Sequence, residues 1–266
     1  MKKLLLGSVA LLACATAASA ADMPVKAPPV VVPVPVATWT GCFIGGHFGG
    51  GIARAESTNV GVLNSTSFPY GSSYTEDKLG VIGGGQIGCD YQFAPNWVIG
   101  AAADFSWSGV DGDATVLSPI APARIVAYHT DRLDWFTTAT ARLGWTSNDF
   151  MLYVKGGAAW TRDVTSSATY VGNTLSTASG FTENRQGWVV GAGIEQRFLQ
   201  NWSFTLEYNY LDFGTKTADS LVSFSTSTQI PVGSVLQRDV DLTAHLVKVG
   251  VNYRFNFFGA PVVARY

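Results

Sequence analysis

The chain has 266 residues, of which 47% are hydrophobic, 12% aromatic and only 14% charged, with 29 glycines, eight tryptophans and a formal net charge of −2. This excludes a disordered chain, which is poor in apolar residues, and a nucleic-acid binder, which needs a basic face. The charged fraction lies far below the roughly 25% of soluble domains, yet no apolar run after residue 21 is long enough to cross a bilayer as a helix.

The first segment, residues 1–20, reads as a secretory signal peptide: Lys2 and Lys3 precede the apolar run Leu4 to Ala13, and Ala18-Ser19-Ala20 forms a small-x-small cleavage site. Leu11-Leu12-Ala13-Cys14 offers a looser alternative, a lipoprotein box, although Leu12 is unusual before the small residue. Residues 21–38 carry Pro24, Pro28, Pro29, Pro33 and Pro35, which favour neither a helix nor a ladder, so this stretch reads as an extended linker available for periplasmic contact. Residues 39–266 form the remaining domain.

From Trp39 the apolar residues recur with a period of two and no helical period persists. Eight strands are predicted, at about 39–52, 79–93, 97–108, 133–145, 150–162, 186–198, 202–213 and 242–255. Three connections are tiny: Ala94-Pro95-Asn96, Ser147-Asn148-Asp149 and Leu199-Gln200-Asn201. Four are long and rich in Ser, Thr, Gly and Asn, at 53–78, 109–132, 163–185 and 214–241. Strict alternation of short and long connections is the pattern of an all-β, eight-stranded antiparallel up-and-down transmembrane β-barrel with both ends in the periplasm.

Charge placement supports the same fold. Asp90, Asp104, Asp134, Arg142, Lys155, Glu195, Arg197, Glu207, Lys248 and Arg254 share one parity within their strands, and the opposite parity carries large apolar side chains. Strand three puts Trp97, Ile99, Ala101, Ala103, Phe105 and Trp107 on one face. Trp97, Trp145 and Trp202, with Trp39 by position, fall at the short-turn end; Trp107, Trp135, Trp160 and Trp188 fall at the long-loop end. Two aromatic girdles around an apolar band suit a lipid-facing wall and have no purpose in a soluble barrel.

Several stretches then resemble one family. They are Trp39-Thr40-Gly41-Cys42-Phe43-Ile44-Gly45-Gly46, Gly83 to Gly88, Tyr153 to Trp160, Leu206-Glu207-Tyr208 with Asp212-Phe213-Gly214, and Val249 to Phe255. In this order they resemble the small outer-membrane immunogenic proteins of alphaproteobacteria, the Omp25/Omp31-like porin family. The resemblance implies an abundant surface-antigen barrel that supports the envelope, with haemin binding in some members. A terminal aromatic commonly serves barrel assembly, and both Phe255 and Tyr266 are available for that role.

Other chemistry finds little support. Gly83-x-Gly85-x-x-Gly88 matches a dinucleotide fingerprint, but the strand pattern continues where a helix is needed. His47, His129 and His245 are too dispersed for a metal site, and His245, facing lipid, lacks the Ser partner of a lipid-modifying barrel enzyme. The ten charges read as an internal pairing network, since a charge inside a narrow barrel is costly without a partner. No catalysis and no cofactor are expected. The leading reading is a surface barrel with exposed loops. A narrow channel is the second, and a haemin or ligand receptor using Phe68, Tyr70, Tyr74 or Tyr128 the third. Eight strands enclose little more than side chains, which disfavours a wide pore. Removing Arg142, Lys155 and Arg197 together is expected to open it. The expected partners are outer-membrane lipids, lipopolysaccharide and the barrel-assembly machinery. Finally, Cys42 and Cys89 share the lipid-facing parity near one hairpin end, and Cys14 leaves with the signal. An exported chain with an even cysteine count is expected to pair them, the alternative being two free thiols.

Overall fold

The computed structural model describes residues 38–63, 73–118, 125–171, 173–225 and 232–255; the signal, most of the linker and the terminal Tyr266 lie outside them. Eight strands follow in chain order: β1 Gly41–Leu63, β2 Ser73–Ala94, β3 Trp97–Ser118, β4 Ile125–Ser147, β5 Phe150–Val171, β6 Thr174–Arg197, β7 Trp202–Ser225 and β8 Val235–Phe255. Each pairs antiparallel with its neighbours, and β1 pairs with β8 to close the barrel. Closure leaves no strand edge, the condition for placing a sheet in hydrocarbon.

The strands are longer than the periodicity predicted. They run 21 to 24 residues and absorb most of the four long connections. The segment expected as a loop at 163–185 is a continuing hairpin, in which Asp163 pairs with Glu183 and Val171 with Thr174. Beyond the bilayer the outer face of a strand meets water instead of lipid. Ser and Thr therefore suit either parity, and the hydrophobic alternation fades although the ladder continues. The short turns stand where expected, and Asn148, at φ 54°, takes the left-handed conformation in the β4–β5 turn that Asn tolerates.

Inside and outside follow the parity except where bulges shift it. Register breaks lie between Trp107 and Val110 on β3, between Leu133 and Phe136 on β4, and between Asp212 and Thr215 on β7, where Gly214 adopts a positive φ of 62°. The β4 bulge moves Asp134 from the predicted interior to the outer surface. There it meets the exposed guanidiniums of Arg132 at 2.9 Å and Arg162 at 3.7 Å. Trp39 is a second correction. It is 1% exposed and sits inside the periplasmic mouth instead of joining the inner girdle.

The remaining girdle residues face outward. Trp97, Trp145 and Trp202 are exposed at one end, and Trp107, Trp160 and Trp188 at the other. Between them Ala101 and Ile194 lie on the outer parity of β3 and β6. Ala101→Arg and Ile194→Arg are each expected to destabilise the barrel by up to roughly 2–4 kcal/mol, the penalty a cation reaches at the bilayer midplane and that falls toward the interfaces. Ser166→Arg, on the exposed extension of β5, is expected to cost little. Urea titrations in lipid vesicles would measure all three, and equal penalties would contradict the placement.

Candidate functional site

The buried polar side chains gather in the barrel interior, which is filled in layers. At the periplasmic mouth Trp39 is held by its backbone N–H to Gln92 Oε1 at 2.9 Å and by its indole N–H to the Asn148 carbonyl at 3.2 Å. The Arg197 guanidinium lies 3.9 Å from the Trp39 ring centre and donates to the Thr38 carbonyl at 2.5 Å. Val98, Met151 and Tyr153 complete this apolar stopper.

Above it two acids and two arginines form a closed square. Arg142 meets Asp90 through Nε at 2.7 Å and also through Nη2, and reaches Glu195 at 3.4 Å. Arg254 bridges the same two carboxylates, at 2.7 Å to Asp90 and 3.2 Å to Glu195. A second square follows. Lys155 contacts Glu207 at 2.7 Å and Asp104 at 3.8 Å, while Lys248 contacts Asp104 at 3.1 Å and Glu207 at 3.6 Å. Tyr153 links the two squares, donating its hydroxyl to Glu207 at 2.6 Å beneath the Arg142 cation, which stands 5.1 Å from its ring. Each square is neutral and every charge faces two of opposite sign, the arrangement that best offsets desolvation. The cavity bounded by Phe43, Gln86, Asp104, Arg142, Lys155 and Glu207 has a volume of about 10 Å³, at the lower limit for one water.

A fourth layer is apolar and was not legible in the sequence. Ala53, Ile82, Val110, Leu133, Phe136, Ala159, Val189, Leu211, Phe213 and Leu242 are buried in one cluster to which all eight strands contribute. The Phe136 and Phe213 rings lie 6.4 Å apart. Above this layer come further buried ion pairs, Lys78 with Asp131 at 3.5 Å and Arg185 with Asp163 at 3.3 Å. Apart from Ala53 and Val110, the members of the apolar layer named above lie in predicted strands; those two, with Lys78, Asp131, Asp163 and Arg185, fall in segments expected as loops. The only signal for them was an inward apolar or charged residue at every second position past the outer girdle.

Of the ten charges singled out from sequence, Asp90, Asp104, Arg142, Lys155, Glu195, Arg197, Glu207, Lys248 and Arg254 are buried inside the barrel. Eight of these form the two squares, Arg197 belongs to the mouth, and Asp134 lies outside. Cys42 and Cys89 are opposite one another on β1 and β2 and their sulfurs are bonded. His47 is interior, its Nε2 2.7 Å from the Ser106 hydroxyl oxygen. On the outer wall, His245 Nδ1 is 2.7 Å from the Tyr208 hydroxyl oxygen. No group of metal-ligating side chains occurs among the described residues. Gly83, Gly85 and Gly88 lie within β2 with strand on both sides, so the dinucleotide motif has no helix to serve. Phe68, Tyr70 and the side chains of Tyr74 and His129 lie outside the described set; Tyr128 is exposed and packs edge-on against Tyr170 at 5.7 Å.

Comparison with known proteins points the same way. Residues 7–255 match the family model described as outer membrane protein beta-barrel domain. The chain is 32% identical to a 31 kDa outer-membrane immunogenic protein of Brucella melitensis over 267 aligned positions, covering 96% of this chain and all of that protein. It is 26% identical to a 25 kDa outer-membrane immunogenic protein of Brucella abortus, covering 96% of this chain and 99% of the other. Among solved structures, the outer membrane protein OprG of Pseudomonas aeruginosa aligns over 81% of this chain and 96% of its own. Its identity is 16% and its TM-score 0.44.

Proposed function

Because this chain belongs to the outer membrane protein beta-barrel domain family, we propose that it acts as a closed structural barrel of the outer membrane. In this reading its extracellular strand extensions and loops form the recognition surface, and it performs no catalysis. The observation carrying this reading is the interior, which is occupied at four successive levels: the Trp39 stopper, the two charge squares and the apolar layer. A substrate has no room beside carboxylates already engaged by two cations each. Water has no continuous polar path through a layer built from every strand. The aromatic girdles support contact with outer-membrane lipids and lipopolysaccharide, and the closed barrel needs the assembly machinery for insertion; both partnerships belong to the proposal. In the same reading the Pro-rich linker is a point of periplasmic attachment.

Single-channel recording of the purified, refolded protein in planar bilayers tests this reading. No stable conductance is expected from the unmodified chain. A large, ohmic, long-lived conductance of the monomer would instead establish it as a pore.

A further inference from the structure

The two cysteines occupy a position that decides when their chemistry can happen. The lipid-facing residues of β1 from Cys42 are Ile44, Gly46, Phe48, Gly50 and Ile52, after which Arg54 breaks the apolar row. On β2 the corresponding row runs Cys89, Ile87, Gly85, Gly83, Val81 and Leu79, and ends at Asp77. Arg54 and Asp77 pair at 2.8 Å, both more than half exposed, and mark where the wall meets water on the outer side. Inside that boundary each apolar row spans ten residue steps, from Ile52 to Cys42 and from Leu79 to Cys89. Ten residues of a strand tilted by about 40° rise roughly 25 Å, the full height of the apolar band. The sulfurs therefore lie at the inner edge of that band, with Tyr91 of the aromatic rim one outward step nearer the periplasm. Phe255 stands across the β1–β8 ladder from Cys42, and Ala101 across β2–β3 from Cys89.

Thiol–disulfide exchange needs a thiolate that can approach a disulfide in line. An unpaired thiolate within hydrocarbon carries the cost of an unsolvated charge, so the inserted barrel denies this chemistry to both oxidant and reductant. We infer that the Cys42–Cys89 bond is formed in the periplasm before insertion, by exchange with a protein disulfide oxidant, and that insertion then seals it. One cysteine thiolate attacks the oxidant's disulfide and expels one of its sulfurs, giving a mixed disulfide. The second cysteine thiolate attacks the chain's own sulfur and releases the oxidant as a dithiol. Two electrons and two protons pass from the chain to the oxidant. The bond joins neighbouring strands of the first hairpin, so it can form before β8 reaches β1 to close the barrel.

The test uses the full mature chain folded into phosphatidylcholine–phosphatidylglycerol vesicles. The oxidised protein is exposed to tris(2-carboxyethyl)phosphine, a charged reductant that stays in water, and free thiols are counted by alkylation and mass spectrometry. Reduction is expected to be more than about tenfold slower than in the urea-unfolded chain. The reduced protein, once inserted, is expected to resist both oxidised glutathione and a charged maleimide, while the unfolded chain reacts with each. A control pair, Thr58→Cys with Ser73→Cys in a Cys42→Ala, Cys89→Ala background, sits opposite one another on the same strands beyond Arg54 and Asp77. It is expected to react freely after insertion. Reaction of the inserted native pair at the rate of the control pair or of the unfolded chain would overturn the inference. So would two free thiols in protein isolated from the outer membrane.

Discussion

Asp90→Ala is expected to be the most damaging single substitution in the barrel wall, costing roughly 3–5 kcal/mol, the penalty of breaking a buried ion pair from one side. Asp90 holds both Arg142 and Arg254. Its removal leaves two guanidiniums sharing Glu195 alone, in an interior where each side chain is about 4% exposed. Replacing Arg254 by Met in the same protein is expected to add less than its own single cost, because one orphaned charge is then gone. Asp77→Ala breaks an exposed pair with Arg54 and is expected to cost at most about 1 kcal/mol. Urea titrations in vesicles, followed by tryptophan fluorescence, give all of these values. Similar costs for Asp90→Ala and Asp77→Ala would show that the interior is hydrated and the squares are not sealed.

The second large effect is on conductance. The charge squares and the apolar layer stand one above the other, so they close the barrel in series. Arg142→Ala with Lys155→Ala opens the lower seal, and Phe136→Ala with Phe213→Ala removes the two largest side chains of the upper one. Each double variant alone is expected to remain silent in planar bilayers. All four substitutions together with Trp39→Ala, which clears the stopper at the mouth, are expected to give small, flickering currents. This revises the expectation that removing Arg142, Lys155 and Arg197 suffices. Arg197 belongs to the Trp39 stopper and not to the squares, and the apolar layer remains shut above them. Conductance from the charge-depleted variant alone would show that the apolar layer does not seal.

Much of this architecture was legible because a bilayer imposes strict rules on a strand that crosses it. Trp97 through Trp107 on β3 declare an outer face by parity and by tryptophan at both ends, and Asp104 and Arg142 declare an inner one. The turns at Pro95 and Asn148 are chemically distinctive, so strand number and direction followed. Where water replaced lipid, the rule lapsed. The extensions of β5 and β6 pair from Asp163 to Val171 with one irregularity between Thr169 and Tyr170, although the lipid-facing apolar row that marks the rest of the wall is absent there.

The sequence by itself determined the number of strands, their order, the lipid-facing rows and the set of charges available to the interior. Each of these depends on local parity and on the contrast between hydrocarbon and water. Only the tertiary structure decided which charges meet, because Asp90, Glu195, Arg142 and Arg254 come from four different strands brought together by closure of the β1–β8 seam. It also decided the exceptions. One extra residue at a bulge inverts the parity, which sends Asp134 outward and turns Leu133 inward into the apolar layer. Trp39 fills the mouth because Arg197, Arg254, Gln92 and the Asn148 carbonyl converge there from separate hairpins. No window of neighbouring residues contains that geometry, since it exists only once the barrel has closed.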